Sequence, residues 1–215
     1  MPHTFAMLWK AGTDEDIFPI MLCHPGMGFD YHIKEFFECR YNLLYGGFDY
    51  CIFQQKAHPF AGTREDMEAG KKLAGLAKVG GVQPVFALTW AEKAHPEHQE
   101  KMNFFHEQLC ADTGSLLSPV GKVWAGLLAK DREFPLFWAD EEHASLYGDY
   151  LIACTHYRLL SGRSCLGLPA VGCDFFDRET KSVRNTPKAC EVALDAELCR
   201  RIQLAVEQEY NTNRE

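Results

Sequence analysis

The segment YCIFQQKAHPFAGTREDMEAGKKLAGLAKVGGVQPVFALTW (50–90) carries the pattern that decides the fold. Its two ends, 50–55 and 84–90, are short apolar runs bounded by turn residues, which is typical of buried strands. Between them, residues 64–79 place apolar side chains at helical spacing and stop at Gly80, as helices often do. A strand, a helix and a second strand in this order indicate a parallel pair joined by a crossover helix.

The same alternation continues on both sides of this segment. Further strands are predicted at 16–23 and 115–118, although Pro19 weakens the first of them. Further helices are predicted at 30–45, 97–113, 120–130, 144–161 and 194–210. This pattern predicts an α/β protein in which a parallel sheet lies between two helical layers, a three-layer α/β/α fold, formed by a single domain over residues 1–215.

The C-terminal third of the chain is expected to differ from the rest. Residues 163–190 contain few periodic patterns and are predicted to be a loop-rich insertion. The last helix, 194–210, has one apolar face and one polar face, so it is predicted to dock on the sheet and not to extend as a tail.

Composition and charge exclude several classes of partner. The 215 residues are 47% hydrophobic, and 30 acidic residues against 22 basic ones give a formal net charge of −8. No basic cluster is longer than a pair such as Lys71-Lys72, so no nucleic-acid partner is expected. The apolar runs are too short to cross a bilayer and the first residues show no signal-peptide pattern, so a soluble protein without a membrane partner is predicted.

The cysteine pattern predicts the redox compartment, and the lack of cofactor motifs in the sequence predicts a protein without a cofactor. Nine cysteines form no Cys-x-x-Cys pair and several occupy apolar positions, which favours reduced core thiols and a cytoplasmic location. No glycine-rich phosphate loop is present, so no nucleotide or flavin cofactor is predicted. The cluster His95-Pro96-Glu97-His98 is interpreted as the polar start of a helix, so no metal site is predicted.

Two polar residues, Asp140 and His143, precede the helix predicted at 144–161. A histidine that acts as a general base needs a carboxylate on its second ring nitrogen, and a separation of three residues allows that contact. The alternative is that Asp140 caps the helix, because aspartate is a good N-cap and acidic side chains favour the helix dipole. The spacing alone leaves both interpretations open.

Six segments in a fixed order resemble the SGNH, or GDSL-like, hydrolases. The similarity is greatest to a bacterial branch of that superfamily described mainly as a domain of unknown function. The segments are HPGMGFDYHIKE (24–35), GGFDYCIFQQKAHPF (46–60), FALTWAEKAHPEHQEKM (86–102), LLSPVGKVWAGLL (116–128), DEEHASLYGDYLIACTHYRLLSG (140–162) and LDAELCRRIQLAVE (194–207). The resemblance covers most of the chain except 163–190, and it rests on the order and spacing of motifs that are individually weak.

The resemblance implies a flavodoxin-like parallel sheet and the hydrolysis of ester bonds without a cofactor. The substrate class that it implies is a small molecule carrying an acyl or acetyl ester, such as an acylated carbohydrate. His143 would be the general base and Asp140 the carboxylate that orients it.

The resemblance also implies an oxyanion hole. The backbone N–H of Gly26, or failing it that of Gly28, would hold the oxyanion, because a residue without Cβ allows close approach. The side chain of Gln54 lies near the position where the superfamily uses an asparagine for the same purpose, with Gln55 or the loop at His58 as alternatives. A simple turn at Gly26 and a polar strand end at Gln54 explain the same residues without catalysis.

The nucleophile of the superfamily has no counterpart in this sequence. Its serine follows the first strand in a Gly-Asp/Asn-Ser motif, whereas the six serines here all lie at or beyond Ser115 and outside such a motif. MPHTFAMLWKAG (1–12) matches the later part of the first helix, so the first strand and the serine are expected upstream of Met1, in a chain truncated before its nucleophile. The alternative is a catalytically inactive binding or assembly module.

Overall fold

A computed structural model describes residues 1–35, 37–177, 182–184 and 186–212 of the chain. Within these ranges the protein is mixed α/β and contains nine helices. They are α1 (Pro2–Thr13), α2 (Phe29–Lys34), α3 (Glu38–Tyr45), α4 (Arg64–Val79), α5 (His98–Thr113), α6 (Val120–Lys130), α7 (Leu146–Ser161), α8 (Pro187–Cys190) and α9 (Ala196–Thr212).

Seven short strands accompany the helices in the described ranges. They are β1 (Tyr50–Gln54), β2 (Gln83–Ala87), β3 (Leu116–Ser118), β4 (Val171–Cys173), β5 (Phe176–Asp177), β6 (Ser182–Val183) and β7 (Glu191–Ala193). The first three form a parallel sheet in the order β1-β2-β3, while β4 with β7 and β5 with β6 form antiparallel pairs. The α/β class and the parallel pair flanking a crossover helix are therefore confirmed.

The predicted strand at 16–23 is wrong. This stretch has no regular secondary structure, and Phe18, Ile20 and Met21 are exposed. Pro19 lies in its middle and has no backbone N–H to donate to a sheet, so the apolar character of the stretch is not enough to form a strand.

The single helix predicted at 30–45 is two helices, α2 and α3. The carboxylate of Glu35 accepts hydrogen bonds from the backbone N–H groups of Phe37 and Glu38, at 2.9 and 2.6 Å. Glu35 itself has an extended backbone, with φ of −61° and ψ of 123°. The carboxylate satisfies donors at the start of α3, so it stabilises an interruption that apolar periodicity does not reveal.

Two compact units make up the described chain, one formed by residues 1–21 and 123–215 and the other by residues 22–122. In the 22–122 unit, one face of the sheet carries Phe53 and Phe86, which lie opposite each other in the β1-β2 register. Phe29, at the start of α2, packs edge-on against Phe86 with the ring centroids 5.4 Å apart. Leu73 of α4 and Leu109 of α5 complete this buried cluster, so the helices bury the apolar face of the sheet.

In the unit formed by 1–21 and 123–215, α9 packs against α7. Arg158 of α7 donates from Nε to Glu207 Oε2 at 3.1 Å, and the buried Gln203 donates from Nε2 to the Tyr150 hydroxyl at 2.7 Å. The sequence pattern predicts docking of this helix on the sheet, whereas its principal partner in the structure is α7. The prediction and the structure differ because an amphipathic pattern indicates that one face of a helix is buried but does not indicate which element covers that face.

The predicted loop-rich insertion, 163–190, contains some regular structure. β4, β5, β6 and the single turn of α8 lie in it, while residues 178–181 and 185 are outside the described residues. Among the described helices, none has the length and apolar content needed to cross a membrane.

Two buried histidines make stability depend on pH. Burial lowers the pKa of His106 to about 4, and burial also lowers the pKa of His156 to about 4. In the unfolded chain, the two imidazoles bind protons below the ordinary histidine pKa of 6.5. In the folded chain they bind protons only near pH 4. The free energy of unfolding is therefore expected to fall as the pH drops through this window, by about 2 kcal/mol per histidine at about pH 5.

Urea unfolding between about pH 7 and pH 5 measures this dependence. His106→Gln and His156→Gln are each expected to reduce the slope, because each removes one imidazole whose pKa is lowered by burial. An unaltered slope in both variants would contradict the assignment.

Candidate functional site

A tight loop between α6 and α7 presents the Asp140-His143 pair. The loop is closed by the hydrogen bond from the Trp138 N–H to the His143 carbonyl at 2.7 Å. Inside the loop, Asp140 Oδ1 accepts the backbone N–H groups of Glu142 at 3.0 Å and His143 at 2.9 Å. The aspartate therefore orders the loop with one carboxylate oxygen and leaves the other free for the imidazole.

The second oxygen of Asp140 makes the contact that a general base requires. Asp140 Oδ2 lies 2.9 Å from His143 Nδ1. Hydrogen bonds from the backbone N–H groups of His143 and Glu142, and then from the His143 imidazole, hold the pKa of Asp140 below its ordinary value. With an ionised carboxylate at Nδ1, the imidazole keeps its proton there and offers Nε2 for proton transfer.

The helix after this loop is capped by a different residue. Helix α7 begins at Leu146, and its N-cap is Ser145, whose hydroxyl oxygen accepts the N–H groups of Tyr147 and Gly148. The interpretation of Asp140 as the cap of this helix is therefore wrong. The pair remains exposed, because the side chain of His143 is 76% accessible and that of Asp140 is 43% accessible.

The two candidate glycines have different structural roles in the 22–122 unit. Gly26 is exposed and has a φ of +73°, in a turn where the Met27 N–H bonds the His24 carbonyl. Gly28 is the buried N-cap of α2, and a Cβ at this position would lie 2.5 Å from Gln55 Oε1. Gly26 therefore provides the left-handed turn, and Gly28 allows a side-chain amide to approach the backbone closely.

That amide belongs to Gln55, the residue that follows β1. Gln55 is 4% exposed, and its Oε1 accepts the backbone N–H of Phe29 at 2.8 Å and that of Lys56 at 3.2 Å. Because Oε1 is the acceptor in both contacts, Nε2 is the part of the amide left to donate. Gln54, at the end of the strand, is exposed.

A cavity of about 170 Å³ lies against these groups. Its lining includes both Gly26 and Gly28, together with Gln55. Asp30, Lys56 and Asp66 contribute charged groups to the same lining. The cavity thus brings a glycine backbone and one buried side-chain amide together with two carboxylates and one lysine.

Most serine hydroxyls have structural partners. Four of them bond as follows: Ser145 donates to the Pro135 carbonyl, Ser161 donates to the Tyr157 carbonyl, Ser164 accepts the Leu166 N–H, and Ser115 bonds Thr113. Ser118 is fully buried in β3. These five hydroxyls therefore bond local groups or lie in the core.

Comparison with protein-family models, with curated proteins and with solved structures found no match to this chain. The resemblance to the SGNH hydrolases therefore rests on the motifs of the sequence.

The structure adds two residues to those singled out from the sequence. Ser145 is the helix cap, and Glu92, which follows β2, accepts hydrogen bonds from two histidines, His58 and His98. Ser145 could have been found as a good N-cap residue directly before the helix. The role of Glu92 has no local signal, because His58 lies 34 residues away in the sequence.

Proposed function

We propose that the chain carries the acid-base pair of an SGNH-type serine hydrolase that acts on ester bonds. The observation that supports the proposal most directly is the 2.9 Å contact between His143 Nδ1 and Asp140 Oδ2 in a loop ordered by the same carboxylate. The proposal includes a flavodoxin-like, three-layer fold around the sheet β1-β2-β3. It also includes a small acyl or acetyl ester, such as an acylated carbohydrate, as substrate.

The proposed reaction is acyl transfer through a serine. The serine expected upstream of Met1 attacks the ester carbonyl while His143 Nε2 accepts its proton and then returns that proton to the departing alcohol. Asp140 keeps the imidazole in the required tautomer and stabilises the imidazolium. Water then attacks the acyl-enzyme with the same base, which releases the acid and restores the serine.

The proposal gives the cavity of the 22–122 unit a separate role. By the resemblance, the donors for the negative oxygen of the tetrahedral intermediate are the backbone N–H of Gly26, or failing it that of Gly28, and the side-chain amide of Gln54 or Gln55. Gln55 replaces Gln54 in this assignment because Gln55 is buried at the cavity and Gln54 is exposed. Donors fixed before the reaction stabilise a developing charge without the cost of reorganisation.

A second function is favoured by the state of the serines. Ser115, Ser145, Ser161 and Ser164 bond nearby groups and Ser118 is buried, so these five hydroxyls have structural roles. The second candidate is therefore an inactive binding or assembly module that keeps the polar loop and the cavity.

A serine-directed fluorophosphonate probe distinguishes the two functions. The chain, extended by the coding sequence upstream of Met1, is expected to be labelled at a serine outside residues 1–215. Labelling should be slower in His143→Ala, because the base activates the nucleophile. A folded extended chain that is not labelled would support the inactive module, and an in-frame stop directly before Met1 would also contradict the hydrolase.

A further inference from the structure

The loop that leads into α5 brings five ionisable side chains into one chain of contacts. His95 Nδ1 lies 3.1 Å from Glu97 Oε1, and the rings of His95 and His98 stack with centroids 5.0 Å apart and an interplanar angle of 17°. His98 Nδ1 lies 3.1 Å from Glu92 Oε1, and the other oxygen of Glu92 lies 3.2 Å from His58 Nδ1. The group belongs to the 22–122 unit and includes neither Asp140 nor His143.

We propose that His95, Glu97 and His98 bind a divalent transition-metal ion. One ligand atom from each residue lies within 4.8 Å of those of the other two, a spacing that small side-chain rotations can close around one ion. The proposal is independent of the esterase function, because it uses a different set of residues and a different chemistry.

The donor set defines the class of ion. Two imidazole nitrogens and one carboxylate oxygen suit zinc, cobalt, nickel or copper and disfavour calcium and magnesium, which prefer oxygen ligands. Three protein ligands leave at least one position for water or another small molecule.

Glu92 provides the support that metal-binding histidines usually have. Its carboxylate lies at His98 Nδ1, so His98 Nε2 is the nitrogen left to bind the ion. A carboxylate on the remote nitrogen fixes the tautomer and the ring orientation and raises the basicity of the ligand. Glu92 is itself held, because its side chain is only 13% exposed and its second oxygen contacts His58.

The backbone of the loop is also ordered before any ion binds. Gln99, which is 8% exposed, accepts the Ala91 N–H with Oε1 at 2.9 Å and donates from Nε2 to the Thr89 carbonyl at 3.1 Å. Within the loop, the His98 N–H bonds the His95 carbonyl at 3.1 Å. The backbone around the ligands is therefore fixed, and the exposed side chains of His95 and Glu97 move to close the site around the half-buried His98.

Charge favours a cation at this position. Glu92 and Glu97 contribute two carboxylates, while the histidines are uncharged when they bind a metal.

Cobalt(II) titration of the whole chain tests the proposal. The titration uses the Cys23→Ser background, because Cys23 is the exposed cysteine among the nine and would otherwise compete for the ion. We expect one cobalt ion per chain, with a d–d absorption band, no thiolate-to-cobalt charge-transfer band, and displacement by zinc. His95→Ala and His98→Ala should each abolish this band, and Glu92→Gln should weaken binding about 10- to 100-fold.

His24→Ala is the matched control. His24 is also paired with a carboxylate, since its Nε2 lies 2.7 Å from Glu38 Oε2, but it lies outside the proposed ligand set. Cobalt binding should be unchanged in this variant, with circular dichroism showing that all variants are folded. Equal binding by the wild type and His98→Ala, a thiolate charge-transfer band, or the absence of stoichiometric binding would overturn the proposal.

Discussion

Replacing His143 with alanine is expected to lower ester hydrolysis about a thousandfold or more, which is the typical loss when a catalytic triad loses its base. The assay measures the hydrolysis of p-nitrophenyl acetate by the chain extended upstream of Met1. The loss is expected because the variant lacks Nε2, the atom that is proposed to accept the proton of the serine. The side chain of His143 is 76% exposed, so its removal should leave the stability of the fold almost unchanged.

Asp140→Asn tests the same pair without removing the imidazole. Asparagine keeps an oxygen that can accept the N–H groups of Glu142 and His143, so the loop should retain its structure. Its NH₂ group would then face His143 Nδ1 and favour the wrong tautomer, so a loss of up to about 10⁴-fold is expected in kcat. Glu142→Gln, in the same exposed loop, should have no effect on the rate.

Equal rates in the extended wild type, His143→Ala and Asp140→Asn would contradict the catalytic role. The contact between the two residues would then serve only to order the loop before α7. In that case the resemblance to the SGNH hydrolases would not carry their activity to this chain.

The elements that could be predicted well are those whose signals are local. Helix α4 covers the predicted residues 64–79, because Thr63 and Asp66 form a capping box at its start and Gly80 follows its end. The contact between Asp140 and His143 is of the same kind, since three residues in a turn bring the side chains together.

The features that could not be predicted depend on contacts between distant residues or on a single side chain. The interruption between α2 and α3 depends on the Glu35 carboxylate. Helix α9 packs against α7, and apolar periodicity cannot specify which element covers the apolar face of a helix. The contact between Glu92 and His58 joins the segments that follow β2 and β1. These segments meet because the two strands are parallel and end at the same edge of the sheet.

Alternation along a strand could have distinguished Gln55 from Gln54. Side chains two residues apart in a strand point to the same face, and Phe53 is a buried core residue. Gln55 is therefore expected on the buried side and Gln54 on the opposite side, as the structure shows. This distinction yields a sharp test, because the two neighbouring glutamines can be changed in the same way.

Gln55→Glu is expected to lower kcat for ester hydrolysis about 10²- to 10³-fold, which is the usual cost of losing one donor to the oxyanion. Glutamate has nearly the same shape and keeps an oxygen to accept the Phe29 and Lys56 N–H groups. It replaces the donating NH₂ group with a negative oxygen, which would repel the oxyanion of the tetrahedral intermediate. The main effect should therefore be on kcat and not on KM.

Gln54→Glu introduces the same charge one residue earlier and is the matched control. Its side chain is exposed, so both kcat and the free energy of unfolding should stay near the wild-type values. If Gln54→Glu lost activity while Gln55→Glu did not, the oxyanion donor would be Gln54, as the family motif implies. If neither variant changed kcat, the cavity beside Gly28 would have no part in the reaction, and the acid-base pair of Asp140 and His143 would need a donor from another part of the chain.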